Sequence, residues 1–152
     1  MLAALALIAA PSLNAQTMLA APVLDLGTAT PIAGSWIYSQ GTGGGEASFL
    51  NASALPQVTI RCALPTQRIT IAKPASVAAP LLTVWTSSQT RALPASFNPA
   101  TQRLSAEVAA SDPLLDAIAF SRGRFGVSVA AAGALVVPTW AEVTRVVENC
   151  RV

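Results

Sequence analysis

The chain has 152 residues, enough for one domain with a buried core, and 53% of them are hydrophobic while 11% are charged. Its 9 basic and 7 acidic side chains give a net charge of +2 without a run of like charge, so the basic stripe typical of nucleic-acid-binding proteins is missing. With no histidine and only two cysteines, Ser–His–Asp and Cys–His catalysis and the common four-ligand zinc sites are excluded, and we expect neither a metal nor another cofactor.

The first predicted element is a secretory signal peptide at residues 1–15. Residues 2–10 form a short apolar run, Pro11 ends it, and Ala15 is the expected cleavage residue. A membrane span needs about 20 consecutive apolar residues, and polar residues from Asn14 onward interrupt this segment too early. We therefore predict a periplasmic or secreted protein without a stable membrane span.

The rest of the chain is predicted to contain a single folded unit. Residues 16–34 are expected to be an N-terminal linker or extended segment, and residues 35–152 a single β-rich domain. Within it, QVTIRC (57–62) and RITIAK (68–73) alternate apolar and polar side chains. Because these two runs are so close together, we expect them to form an antiparallel hairpin.

Six further stretches have the same β-rich or alternating character. They are residues 36–38 and 47–49 on either side of the glycine-rich GTGGG (41–45), then LLTVWTS (81–87), RLSAEVA (103–109), RFGVSVA (124–130) and ALVVP (134–138). The glycine-rich stretch lacks the Lys-Ser/Thr ending of a phosphate loop, which favours a flexible hairpin connection. The predicted fold is mainly β with α+β character: an antiparallel, sandwich-like sheet with two short helices near residues 112–121 and 140–149.

The first predicted helix begins the stretch DPLLDAIAFSRGRF (112–125). Asp112 is a typical N-cap, and Pro113 occupies the first helical position, where its missing N–H needs no partner. Arg122 is expected in the last turn, where a cation interacts favourably with the helix dipole. Gly123 is expected to form a left-handed C-cap. In this interpretation every residue of SRGRF has a structural role.

A functional interpretation of the same stretch assigns Arg122 and Arg124 to an anion-binding site. The two arginines flank Gly123, and a left-handed turn there is expected to aim both guanidinium groups outward from one corner. Such a pair binds a carboxylate or phosphate through bidentate hydrogen bonds, which suits an acidic partner or a lipid headgroup. Arg122 and Arg124 are therefore the candidate binding residues, and the structural interpretation is the alternative.

The second predicted helix, near residues 140–149, has an apolar stripe that ends in a cysteine. Thr139 and Glu142 are predicted to form a capping box at its start. The stripe has the i, i+3, i+4, i+7 spacing of one helix face, with Val143, Val146, Val147 and Cys150 as its members. We expect this face to pack against the sheet.

The two cysteines, Cys62 and Cys150, are predicted to form a disulfide. Cys150 lies on the inward stripe of the second helix, and Cys62 lies on the apolar face of the strand at 57–62. Export to an oxidising compartment permits the bridge, which would close a long loop. Two buried free thiols are the alternative.

Carboxylates are the remaining candidates for catalysis. Asp116 and Glu107 are the least badly placed pair for acid–base hydrolysis of the glycosidase type. Lys73, the only lysine, is expected on the solvent side or at an edge of its strand, without a visible partner for a Ser–Lys dyad. We do not expect an enzyme, and a small hydrolase that uses these carboxylates is the alternative.

Two stretches near the end of the chain, DPLLDAIAFSRGRF (112–125) and WAEVTRVVENCR (140–151), carry a family resemblance. With the IRC strand (60–62), they resemble a family of small exported alphaproteobacterial proteins of unknown function. More loosely, the layout is similar to periplasmic accessory domains of the invasion-associated locus B and type VI secretion-associated kind. This resemblance implies no activity. Our leading hypothesis is a periplasmic or secreted, non-catalytic interaction or accessory module with an unknown protein or envelope partner, and a structural envelope protein is a further alternative.

Overall fold

The computed structural model describes residues 23–130 and 132–152. The predicted signal peptide (1–15) and the start of the predicted linker (16–22) lie outside the described residues. Within the described ranges the chain folds into nine β-strands, two α-helices and one 3-10 turn. The strands are β1 (Gly34–Gly41), β2 (Gly44–Asn51), β3 (Pro56–Ala63), β4 (Arg68–Pro74), β5 (Leu81–Trp85), β6 (Thr90–Asn98), β7 (Arg103–Ala109), β8 (Arg124–Val129) and β9 (Ala132–Pro138). The helices are α1 (Pro113–Ala119) and α2 (Ala141–Cys150), and the 3-10 turn is Leu64–Thr66.

The nine described strands form one antiparallel sheet in the order β1-β2-β3-β4-β7-β6-β5-β8-β9. The sheet curls into a half-barrel, and its two ends touch. The Trp36 indole N–H on β1 donates a hydrogen bond to the Pro138 carbonyl on β9 at 2.7 Å. The rings of Trp36 and Phe125 stack with their centroids 6.3 Å apart. The predicted mainly β, antiparallel fold with two short helices is confirmed, and the strands belong to one curled sheet.

The core lies inside the curl and follows from the two-residue alternation of strand side chains. On β3 and β4 the inward-facing residues are fully buried: Val58, Ile60, Cys62, Ile69 and Ile71. The register places Ile60 opposite Ile71 and Cys62 opposite Ile69. The predicted hairpin of residues 57–62 and 68–73 is therefore confirmed.

Lys73 departs from the sequence expectation, because its side chain is only 6% exposed. It has the same parity as Ile69 and Ile71 on β4, so alternation places it on the core side and not on the solvent side. Its Nζ donates a hydrogen bond to the Pro74 carbonyl at 3.0 Å. Burial lowers the pKa of Lys73, since desolvation penalises the charged amine.

The strand β6 is the one that the sequence patterns do not predict. Leu93 is its only fully buried residue, and Pro94 argues against a place inside a sheet. The strand nevertheless joins the two halves of the sheet: it pairs with β5 up to Pro94 and with β7 from Ala95 onward. The proline is tolerated because it lies where β6 changes partner.

The helix α2 packs inside the curl, mainly against β2 and β3. Its predicted stripe is confirmed, since all four members are buried: Val143, Val146, Val147 and Cys150. The predicted capping box of Thr139 and Glu142 is wrong. The N-cap is Trp140 and has no side-chain cap, and the buried Thr139 Oγ1 has no hydrogen-bond partner among the described residues. The Thr139 N–H donates to the Gly123 carbonyl at 3.1 Å, which holds this residue in the turn before the helix.

A disulfide between Cys62 and Cys150 fastens the last turn of α2 to β3. The two Cα atoms are 5.6 Å apart and belong to residues separated by 88 positions. The free-thiol alternative is therefore not what this structure shows. Bridges of this kind persist in oxidising compartments, so the disulfide is consistent with a place outside the cytoplasm.

The helix α1 is shorter than predicted and ends at Ala119. Asp112 is its N-cap, as predicted, and accepts a hydrogen bond from the Leu114 N–H at 2.9 Å. None of the helices in the described part of the chain has the length and apolar character needed to cross a membrane.

Candidate functional site

A pocket of about 460 Å³ lies where the N-terminal segment passes over β5 and the start of β8. We call it the Arg122 pocket. Its walls come from residues 24–27, from the end of β5 and the following turn (85–87 and Thr90), and from Arg122 and Arg124. Both candidate binding residues therefore line one pocket, together with a segment that the sequence analysis treats as a linker.

The first wall is a compact turn built around Asp25. Its Oδ1 accepts a hydrogen bond from the Gly27 N–H at 2.8 Å, and its Oδ2 accepts one from the Thr28 hydroxyl at 3.0 Å. The Ala29 N–H donates to the Asp25 carbonyl at 2.9 Å. An aspartate that bonds to the backbone two residues ahead favours such a turn. The carboxylate is therefore occupied within its own segment.

Three contacts dock this segment on the sheet. The Ile32 N–H donates to the Val136 carbonyl on β9 at 2.9 Å. The Arg124 guanidinium donates to the Ala29 carbonyl. Leu24 lies over Gly126 on β8, where an added Cβ would come within 2.5 Å of the Leu24 Cδ2. The missing side chain at Gly126 thus creates a notch that receives Leu24.

The second wall is the turn between β5 and β6, which Thr86 stabilises. The Thr86 hydroxyl donates to the Gln89 carbonyl at 2.8 Å and accepts from the Gln89 N–H at 3.0 Å. Two hydrogen bonds attach the turn to the stretch after α1: the Ser87 N–H donates to the Ser121 hydroxyl at 3.0 Å, and the Arg122 N–H donates to the Ser87 hydroxyl at 3.2 Å. The backbone of Arg122 is therefore fixed at the pocket.

The Arg122 side chain itself is exposed and forms no hydrogen bond or ion pair with any residue in the described ranges. By contrast, Arg91 binds both oxygens of Asp112 at 2.6 and 2.7 Å. Arg151 binds Asp116 at 2.8 Å. Arg122 thus offers a guanidinium with its donors available, which suits a carboxylate or a phosphate.

Arg124 differs from Arg122 in both burial and partner. Its side chain is half-buried, and its guanidinium donates a hydrogen bond to the Ala29 carbonyl. Arg124 therefore does not point outward beside Arg122, contrary to the prediction from the sequence. Because it lines the pocket and also anchors the N-terminal segment, its first role is to position the wall.

The helix-dipole role expected for Arg122 is wrong. α1 ends at Ala119 with Phe120 as its C-cap, and its last turn contains no basic residue. Gly123 does adopt the predicted left-handed conformation, with φ of 75°, but it lies in the connection to β8 and is not the helix C-cap. The helix stops early because the residues after it turn to reach Ser87 and β8.

The carboxylates proposed for hydrolysis are each held by a different arginine. Glu107 on β7 is 3.9 Å from Arg68, and its side chain is 58% exposed. Asp116 on α1 is 2.8 Å from Arg151, and its side chain is 48% exposed. Each carboxylate is therefore engaged in its own ion pair, on a different element of the fold. The arrangement supports ion pairing more readily than acid catalysis.

A second pocket, of about 560 Å³, lies beside these ion pairs and includes Arg68 and Arg151 among its lining residues. Although it is larger than the Arg122 pocket, both guanidinium groups already have a carboxylate partner. A ligand anion would have to displace that partner. We therefore place the candidate site at the Arg122 pocket.

The ion pair of Asp112 with Arg91 shows how an arginine partner changes a carboxylate in this protein. The hydrogen bonds from Arg91 lower the pKa of Asp112, burial opposes this, and the N–H of Leu114 adds to the lowering. The sequence identifies Asp112 as a helix cap, but its ion pair with Arg91 joins β6 to α1 and becomes visible only in the fold.

The sequence patterns do not identify the wall contributed by residues 24–27 as part of a site. The Asp25 turn carries a weak signal in the sequence, because an aspartate two residues before a glycine is typical of turns.

Comparison of the chain with protein families, with curated proteins and with solved structures finds no match.

Proposed function

We propose that this protein is a periplasmic or secreted, non-catalytic interaction module, an accessory to an envelope assembly, that binds an anionic group of its partner in the Arg122 pocket. The observation that carries the proposal is the guanidinium of Arg122, which lines a pocket of about 460 Å³ and has no partner among the described residues. A guanidinium whose donors are available at a pocket favours binding of an anion through charge-assisted hydrogen bonds.

The local charge supports an anionic ligand. Arg122 and Arg124 line the pocket with a single carboxylate, Asp25, whose oxygens already accept two hydrogen bonds from its own turn. The predicted signal peptide at 1–15 and the disulfide between Cys62 and Cys150 both favour an oxidising compartment. The family resemblance of the C-terminal third points to the same location.

The experiment is affinity capture from the native cell envelope with three baits: the wild-type protein, Arg122→Gln and Arg61→Gln. Arg61 is the matched control, because it is also exposed and has no ion-pair partner among the described residues, but it lies on β3 away from the pocket. We expect Arg122→Gln alone to lose the captured partner, and wild-type capture to weaken as salt rises. Equal capture by Arg122→Gln and the wild type would overturn the proposal.

A further inference from the structure

The Arg122 pocket also has apolar lining residues. Leu24 and Leu26 line the pocket from the N-terminal segment, and Trp85 lines it from the end of β5. The Trp85 indole N–H already donates to the Ser128 hydroxyl at 2.8 Å, so the ring offers the pocket mainly carbon surface. All three side chains are half-buried and therefore retain apolar surface for a ligand to cover.

From this juxtaposition we propose that the ligand is a carboxylate carried on an apolar group. The carboxylate pairs with Arg122, and the apolar group lies against Leu24, Leu26 and Trp85. This inference rests on the proposed function, since it names the chemistry of the anion that the pocket binds. A fatty acid and a peptide with an apolar C-terminal residue share this chemistry.

Two features explain why the apolar wall belongs to the site. Leu24 is received by the notch at Gly126, where an added Cβ would also lie 3.3 Å from the Trp85 Cβ. The Arg124 guanidinium holds the Ala29 carbonyl of the same segment. The wall is therefore attached to the sheet beside the cation, and Arg124 and Gly126 act as positioning residues for it.

The first test is a titration with acetate, butanoate, hexanoate and octanoate. Binding is monitored by the shift of the Trp85 indole N–H resonance. We expect the affinity to rise about three- to fourfold for each methylene that the wall covers. Arg122→Gln should lose binding at every chain length, and octanol should bind far more weakly than octanoate. Equal affinities along the series would overturn this inference and leave the proposed function intact. Failure of every carboxylate to bind the wild type would also overturn this inference, whereas the proposed function is overturned only by equal capture with Arg122→Gln and the wild type.

The second test removes the wall and keeps the cation. Gly126→Val fills the notch that receives Leu24, and we expect the affinities of the series to converge toward that of acetate. Gly133→Val is the matched control, since Gly133 lies on the neighbouring strand β9 and an added Cβ there has no atom within 4 Å. If Gly126→Val does not fold, Leu24→Ser tests the same wall from the other side. If the affinity of folded Gly126→Val or Leu24→Ser still rises by the wild-type factor for each added methylene, the inference is overturned.

The third test separates the two sources of the carboxylate. N-acetyl-leucine and N-acetyl-leucinamide differ only in the charged terminus, and the first should bind at least tenfold more tightly. Tighter binding of N-acetyl-leucine than of hexanoate would identify a peptide C-terminus as the source, and the reverse order would identify a fatty acid. Equal binding of the acid and the amide would overturn the requirement for a carboxylate.

Discussion

The disulfide end of the molecule and the Arg122 pocket are built in contrasting ways. At the disulfide end, a covalent bond and a fully buried helix stripe hold α2 on β2 and β3. At the pocket, a short segment is held by hydrogen bonds and by Leu24 in the notch at Gly126. Regions with few buried contacts open at a lower free energy and are common at binding sites. The disulfide end thus stabilises the fold, and the Arg122 pocket leaves the guanidinium of Arg122 available to bind a ligand.

The largest expected effect tests the covalent half of this contrast. Replacing both cysteines, Cys62→Ala with Cys150→Ala, should lower the free energy of unfolding by about 4–5 kcal/mol, because the 88-residue separation makes a long closed loop in the unfolded chain. Urea unfolding with and without reductant measures this loss in the wild type even if the double variant does not fold. A wild-type midpoint that reductant does not change would contradict it.

The next effect concerns the ion pair that joins β6 to α1. Asp112→Ala removes the helix cap and leaves Arg91 without its carboxylate, so we expect a loss of about 2 kcal/mol in the free energy of unfolding. Asp112→Asn keeps the capping oxygen and should lose less. Urea unfolding at pH 7 compares the three proteins, and equal losses for Asn and Ala would show that the cap contributes nothing.

The same carboxylate has a pH dependence with a definite sign. Because Arg91 lowers the pKa of Asp112 in the folded state, its contribution is fully present above the unfolded pKa of about 4 and is lost as the pH falls through the folded pKa. Wild-type protein should therefore lose more stability than Asp112→Asn between pH 5 and the acid limit of folding. Parallel urea midpoints for the two proteins over this range would contradict the assignment.

A smaller effect, a gain in the free energy of unfolding, is expected at Lys73. Lys73→Met replaces a buried amine by an apolar side chain of similar length and should raise the free energy of unfolding by about 1 kcal/mol at pH 7. Because burial lowers the pKa of Lys73, the unfolded chain binds more protons between the folded pKa and about 10.4, so wild-type stability rises with pH there. The advantage of methionine should shrink over the same range. Thermal melts at pH 7 and pH 10 measure this, and a destabilised Met variant would contradict it.

The smallest effect on stability is expected at the pocket itself. Arg122→Gln should change the free energy of unfolding by less than about 0.5 kcal/mol, because the exposed side chain has no polar partner among the described residues. Arg124→Gln, which removes the anchor of Ala29, should speed amide exchange in residues 23–32. A large loss of stability in Arg122→Gln would show that its role is structural.

Local patterns account for much of the fold, because they depend on neighbours along the chain. Alternation on β3 and β4 predicts their hairpin, and the helical spacing of Val143, Val146, Val147 and Cys150 predicts the buried face of α2. The same alternation, applied consistently, also places Lys73 in the core. The expected position of Lys73 on the solvent side is therefore wrong.

Other features depend on contacts between distant parts of the chain, which a pattern of neighbours does not contain. β6 forms because two different strands supply its partners, and the Thr139 N–H that a capping box would use is bound instead to the Gly123 carbonyl.

For the candidate site, the sequence identifies Arg122 and Arg124 as unusual residues that flank a left-handed glycine. It does not distinguish their roles, because the partner of Arg124 is Ala29, 95 positions away. The apolar wall depends on the seat that Gly126 provides for Leu24, and this contact arises only when the sheet brings β8 under the N-terminal segment.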